Sequence, residues 1–311
     1  LPKNIIQVES VYSFTHFERQ ILDLKATFPF LELGSAGASV LGKPLYYLRL
    51  GRGPSKVFFN AAHHANEWLT SILLIKWAEN YCHAYANGQS FGSYPINDLF
   101  NSSSIYLLPM VNPDGVDLVT EWPNYVNPAL QAAAQLNRTG LPLPQVWKAN
   151  FRGVDLNLNY PALWEVQKQI KLKQGGSRPA PRNYGGPYPL SEPESAALVE
   201  FTRQHDFRRV FAYHTQGEEI YYQFNRITPP GALALARRFA QSSGYSLFPN
   251  PVEATGGGYK DWFIQEYGRP GFTIEVGKGV NPIAASQLGR IYRQNEAVMV
   301  LGAIGMKTVD K

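Results

Sequence analysis

The 311-residue chain is predicted to be α/β: a single domain with a mixed parallel/antiparallel central sheet and helices on both faces. Three observations predict this. Short apolar runs of strand-formers alternate with amphipathic stretches of helical period. Hydrophobic residues make up 44% and charged residues 17%, enough to fill one large core and too apolar for disorder. No internal repeat or composition break divides the chain. Residues 1–311 are therefore read as one domain, with 1–10 as an N-terminal extension.

The elements follow in order. SFTHFERQILDLKATFP (13–29) reads as an amphipathic helix with a Thr15-x-x-Glu18 capping signal. LELGSAG (31–37) and KPLYYLRLG (43–51) read as strands joined through a Gly-rich turn. KVFFNAA (56–62) is a short apolar strand. It runs into a His/Glu loop and then a helix over about 67–86. SSIYLLPMVN (103–112) is a strand stopped by NPDG. RRVFAYHTQ (208–216) ends as a strand at His214, and PGFTIEVG (270–277) ends near Glu275. Helices fill 191–205, with a Ser191-x-x-Glu194 capping box, and also 230–244 and 286–307. Residues 120–190 are polar and rich in Pro and Gly, as functional rims often are.

Charge and cysteine usage narrow the function. The net charge of +5 suits an anionic partner, but the basic residues are dispersed. Their one concentration, KQIKLKQGGSRPAPR (168–182), is read as a solvated surface loop. The single cysteine, Cys82, permits no intrachain disulfide and lies on an apolar helix as a core residue. No apolar run reaches the ~18–20 residues of a membrane span. TGGGYK lacks the spacing of a phosphate-cradling loop, and no nucleic-acid partner is expected. The chain starts at Leu1 without a charged-then-apolar leader, as a processed or trimmed product would, which leaves secretion open.

In open α/β sheets, sites gather beyond the C-terminal ends of strands. His64 and Glu67 follow one strand end, His214 lies at another, and Glu275 at a third. Two His and one Glu are a common zinc set with a fourth position for water. The spacing alone leaves this open, because a histidine at a strand end is more often structural. His63 is adjacent to His64, but neighbours in an extended segment point to opposite sides. His16, His83 and His205 lie in helices and are read as structural or surface residues.

The words around these residues resemble the zinc carboxypeptidase (M14) family over about residues 10–305. They are HHANEW, PMVNPDG, GVDLNLNYP, YHTQG and FTIE, in the family's order. The resemblance implies one Zn²⁺ held by His64, Glu67 and His214. It implies Glu275 as general base and Asp155 as hydrogen-bond partner of a ligand imidazole. The family's oxyanion-stabilising Arg, seven residues before that Asp, is Lys148 here, with Arg152 as competitor. The carboxylate-clamping Asn-Arg pair is Asn157 and Leu158, so the guanidinium is lost. The mobile Tyr has no counterpart; Val252 stands before ATGGGYKDW. That word has one extra residue, and Gly258, Tyr259 and Lys260 do not align with the specificity positions.

A narrower resemblance is to the bacterial γ-D-glutamyl-L-diamino-acid endopeptidases, through WKANFRGVDLNLNYPA, SEPES, YHTQGEEIYY and TIEVGKGVNP. It implies a peptidoglycan stem-peptide substrate and a bacterial protein, secreted or wall-associated, with cytoplasmic location left open. Lys148, Arg152, Lys260 and Lys278 are the cations expected to answer substrate carboxylates, with Asn157 beside them. EWPNYVNP (121–128) and EIYYQFN (219–225) are candidate aromatic rims. The competing readings are a metallocarboxypeptidase acting on ordinary peptides and a non-catalytic binder of wall fragments. Oligomeric state is not legible.

Overall fold

The computed structural model describes residues 4–7, 11–248 and 256–305. An eight-stranded sheet runs through it in the order β1-β2-β6-β3-β7-β10-β8-β9. Its strands are β1 (Glu32–Ala38), β2 (Pro44–Leu50), β3 (Ser55–Ala61), β6 (Ser103–Leu108), β7 (Arg209–His214), β8 (Glu219–Tyr221), β9 (Ser246–Phe248) and β10 (Gly271–Glu275). A separate hairpin joins β4 (Ser90–Phe91) to β5 (Tyr94–Pro95). The four central strands β6, β3, β7 and β10 are parallel. β2 and β8 join their two edges antiparallel. The sheet is therefore mixed, as expected.

The helices are α1 (Phe14–Thr27), α2 (Leu69–Ala86), α3 (Ile96–Ser102), α4 (Pro113–Thr120), α5 (Pro128–Ala134), α6 (Leu143–Val146), α7 (Trp164–Leu172), α8 (Pro193–Gln204), α9 (Ala232–Ser243), α10 (Tyr259–Tyr267) and α11 (Leu288–Ile304). Strand residues alternate between two cores, as a period of two requires. Phe59, Phe211 and Phe272 pack with α2, α9 and α11 on one face. Phe58, Val210 and Ala212 pack with α8 and α10 on the other. Burying both faces explains why the central strands read as continuous apolar runs. Cys82 is buried in α2, as predicted, and burial pushes its thiol pKa up.

Both predicted caps fall elsewhere. α1 is capped by Ser13, whose Oγ lies 2.8 Å from His16 Nδ1, so His16 and not Glu18 closes the box. α8 begins at Pro193, where the missing N–H costs nothing. Glu194 points inward instead, toward Asn150. NPDG does more than stop a strand: β6 ends at Leu108, and Asn112 caps α4 by accepting from Gly115 N at 3.0 Å. The predicted rim at 120–190 contains three short helices, α5, α6 and α7. Part of the predicted extension is tied down. Ile6 is buried, and the amides of Ile5 and Ile6 donate to Glu79 at 2.5 and 3.2 Å.

Candidate metal centre and cleft

The parallel order aligns the C-terminal ends of β3, β7 and β10. Glu275 is the in-register partner of His214, so their side chains leave the same face of the sheet. After β3 the backbone turns sharply at Ala62, with φ of +51°. Ala62 N donates to Thr70 Oγ1 at 3.1 Å, and Thr70 Oγ1 in turn donates to Glu67 O at 2.7 Å. The short helical turn Ala65–Glu67 then brings Glu67 back beside His64.

His64 Nδ1 lies 2.8 Å from Glu67 Oε1, and His214 Nδ1 lies 2.9 Å from Glu67 Oε2. The two Nδ1 atoms are 3.2 Å apart. His64 Nε2 meets Asp155 Oδ1 at 3.2 Å. A carboxylate only accepts, so Nε2 donates to Asp155, and a His64 ring that binds a metal does so through Nδ1. Two imidazoles and a carboxylate thus converge. Such a set repels itself unless a proton or a cation lies among them. His64, Glu67 and His214 offer ligand atoms within 4.8 Å of one another. All three residues are buried, and the donor set is that of catalytic zinc. His63 stays out: its Nε2 meets Tyr160 Oη at 2.9 Å. Burial, with His214 and His64 nearby, holds its pKa well down.

Ionisation follows the same geometry. Burial opposes charge on His64, yet Glu67 outweighs it, and with Asp155 against Lys148 raises the pKa to about 9. Burial also opposes charge on Glu67, but His64 and Lys148 hold it well below the usual range. Burial works the same way on Asp155, while His64 and Lys148 bring it down to about 2. Glu275 differs. Burial and then Glu67 push it up to about 8, against the pull of Lys148 and His64. Lys148 Nζ lies 3.2 Å from Glu67 Oε1 and is kept charged against burial by Glu67, Asp155 and Glu275.

The supporting loops are tied together by Asn112. Its Nδ2 donates to His63 O at 3.0 Å and to Ala149 O at 3.1 Å, while Ala65 N donates to Lys148 O at 3.1 Å. Two open chambers flank the site. One, of about 310 Å³, is lined by His64, Asp155, Asn157, Leu158 and Asp261 among others. The other, of about 390 Å³, is lined by Glu275, Thr215, Tyr221 and Asn281 among others. Lys148 and Arg182 line both.

Three of the cations expected to answer substrate carboxylates already face carboxylates of the protein. Arg152 lines neither chamber and pairs with Glu192 at 3.6 Å. Lys278 is exposed and pairs with Glu218 at 2.9 Å. Lys260 is buried, 2.5 Å from Asp261. Each is drawn away by a nearer carboxylate. Asn157 does line the cleft, but its Oδ1 accepts from Tyr259 N at 3.2 Å. Of the two aromatic segments, Tyr221 borders the Glu275 chamber, whereas Trp122 lies in a different groove with Trp68 and Pro282. Val252 lies outside the described residues.

The missed cleft residues are Gln167, Lys171 and Arg182, all lining the His64 chamber. The 168–182 segment is thus not merely a solvated loop. A signal existed: Gln167 and Lys171 stand at i and i+4, one face of a helix.

A sequence model of the zinc carboxypeptidase family matches residues 18–297. The chain is 35% identical over 300 residues to gamma-D-glutamyl-L-diamino acid endopeptidase 1 of Lysinibacillus sphaericus, covering 96% of this chain and 74% of that protein. It is 38% identical over 298 residues to the uncharacterized protein YqgT of Bacillus subtilis, covering 94% and 77% respectively. Among solved structures, bovine thrombin-activatable fibrinolysis inhibitor in complex with tick carboxypeptidase inhibitor superposes with a TM-score of 0.70. The identity is 18%, with 97% of each chain covered.

Proposed function

The chain belongs to the zinc carboxypeptidase family, and we propose that it is a peptidase hydrolysing the γ-D-glutamyl–diamino acid bond of bacterial peptidoglycan stem peptides. The observation that carries this reading is Leu158. It lines the chamber beside His64 where ordinary carboxypeptidases have the carboxylate-clamping Arg. An apolar side chain cannot pair with a free α-carboxylate, and burying that charge unpaired costs several kcal/mol. The 35% identity to a γ-D-glutamyl-L-diamino acid endopeptidase points the same way.

Under this reading, residues 1–311 act as one catalytic domain holding one zinc through His64, Glu67 and His214. The metal supplies a water of lowered pKa and polarises the scissile carbonyl. Glu275 takes the proton from the attacking water on its carboxylate and passes it to the leaving amine. Burial and Glu67 raise its pKa, which suits a group that accepts a proton and then gives it up. Lys148 meets the negative charge growing on the carbonyl oxygen as a point donor, without the fork of an Arg. Asp155 holds the His64 ring in the tautomer that presents Nδ1. A wall peptide as substrate suits a protein secreted by, or held at the surface of, a bacterial cell.

Mass spectrometry of digests tests the reading. L-Ala-γ-D-Glu-meso-diaminopimelate, with and without an added D-Ala, should be cut at the γ bond, and a hippuryl-type α-peptide should be poor. If the α-peptide is the best substrate and D-Ala extension abolishes cleavage, the protein is instead a metallocarboxypeptidase.

A further inference from the structure

The cations around the cleft divide by what neutralises them. Lys148 faces Glu67, Arg152 faces Glu192, Lys260 faces Asp261, and Lys278 faces Glu218. Arg182 differs. Its Nε donates to the backbone O of Val146 at 3.4 Å, and among the described residues no carboxylate answers its guanidinium. It lines both chambers, together with Lys148, so it stands at their junction, where a bond being cut would lie. Its backbone position is fixed. Pro181 O accepts from Lys148 N at 2.8 Å and Ala149 N at 3.0 Å, and Asp155 N donates to Tyr184 O at 2.7 Å. Residues 181–184 therefore run alongside the loop that carries Lys148 and Asp155.

On the His64 side, the chemistry beside Arg182 fits an anion; the acids Glu219 and Glu275 lie on the other chamber's wall. Lys171 lines the His64 chamber, and its Nζ donates to the neutral Gln174 Oε1 at 3.0 Å. The one acid on that chamber wall besides Asp155 is Asp261, whose charge is already met by Lys260. Asp155 is likewise committed to His64. A planar guanidinium with free donors is the side chain suited to bidentate binding of a carboxylate.

We propose that Arg182 is a specificity-determining residue that binds a substrate carboxylate beside the scissile bond, supplying from another loop the contact that Leu158 cannot make. This rests on the γ-D-glutamyl peptidase reading. Such a substrate carries carboxylates on both sides of the cut, on D-Glu and on the diamino acid. The shared chemistry is a carboxylate within reach of the chamber junction, and the source is what the experiment separates.

The test is a coupling experiment on the zinc-loaded protein. L-Ala-γ-D-Glu-meso-diaminopimelate is compared with three peptides that each lose one carboxylate: D-isoglutamine for D-Glu, an α-carboxamide on the diamino acid, and lysine for meso-diaminopimelate. Arg182→Ala should lower kcat/KM on the parent peptide about 10–100-fold, the size of a lost charge-assisted bond, with zinc content unchanged. Arg182→Lys should recover part of it. One neutralised peptide should cost the wild type a similar factor and cost Arg182→Ala almost nothing. That peptide identifies the carboxylate, and a purely structural role for Arg182 would not produce this non-additivity. If Arg182→Ala stays within about twofold of wild type, or every neutralised peptide costs both proteins equally, this inference alone is overturned. A wild type that leaves the γ bond intact overturns the proposed function, and this inference with it.

Discussion

Two buried clusters of carboxylates lie on either side of the 148–150 loop, and they are built on opposite principles. At the cleft, Glu67 is surrounded by His64 and His214, whose ring nitrogens approach it and each other. Behind the loop lie Asp114, Asp117, Glu192 and Glu194, all buried. There each carboxylate meets a ready-made donor. Lys43 Nζ lies 3.2 Å from Asp114 and 2.5 Å from Asp117. The amides of Phe14, Val40 and Leu41 point at Asp117, Glu194 and Asp114, and Asn150 Nδ2 bonds Glu192 and Glu194 at 2.8 and 3.2 Å. The second cluster is closed by hydrogens the protein supplies itself. The first gathers ligand atoms of three residues that could hold an added cation. Burial and acidity alone do not mark a metal site; the identity of the facing atoms does.

The largest expected effect lies in the open cluster. His214→Ala should lose bound zinc and peptidase activity together, measured by metal analysis and turnover; a mutant that keeps both would remove His214 from the site. Glu275→Gln keeps the shape but not the base. Turnover should fall on the order of 10²–10⁴-fold while zinc content stays at the wild-type level.

The closed cluster should respond in stability and not in metal. Lys43→Ala strips the ammonium from Asp114 and Asp117. A loss on the order of 3 kcal/mol is expected, the low end for unpairing buried charge, read from denaturant unfolding with zinc content unchanged. The smallest effect is a pH dependence. Burial pushes Glu194 up to about 7, against the pull of backbone amides and Asn150. A carboxyl in the unfolded chain ionises near its ordinary value of 4.5, so between these values the folded protein holds the extra proton. The stabilisation from Glu194 is therefore fully present below about 4.5 and is lost as pH rises through about 7. Between pH 5 and 8 the wild type should lose up to a few kcal/mol more than Glu194→Gln. Equal losses in the two proteins would show that Glu194 is ionised throughout.

The open cluster was the more legible of the two. His64, Glu67, His214 and Glu275 follow apolar strands, and strand ends can be read from a single sequence because the strands are buried on both faces. Lys148 and Asp155 are marked by a motif word, and they lie beside Glu67 and His64 respectively. The closed cluster was invisible, because its partners come from three distant loops. The capping signals erred for a related reason: Ser-x-x-Glu spacing at 191–194 matches a cap, yet Glu194 is drawn inward by Asn150. β8 and β9, three residues each, are too short to show alternation and depend on pairing with β10 and with each other. Arg152, Lys278 and Arg182 look alike as sequence. Only the fold decides that the first two meet carboxylates while Arg182 faces the cleft.

The contrast between the clusters is tested most directly by anomalous diffraction at the zinc edge, on crystals of the zinc-loaded protein. A single strong peak is expected, bonded to His64 Nδ1, Glu67 and His214 Nδ1, with none among Asp114, Asp117, Glu192 and Glu194. A peak in the acidic cluster, or a zinc bound through His63 in place of His64, would contradict the account.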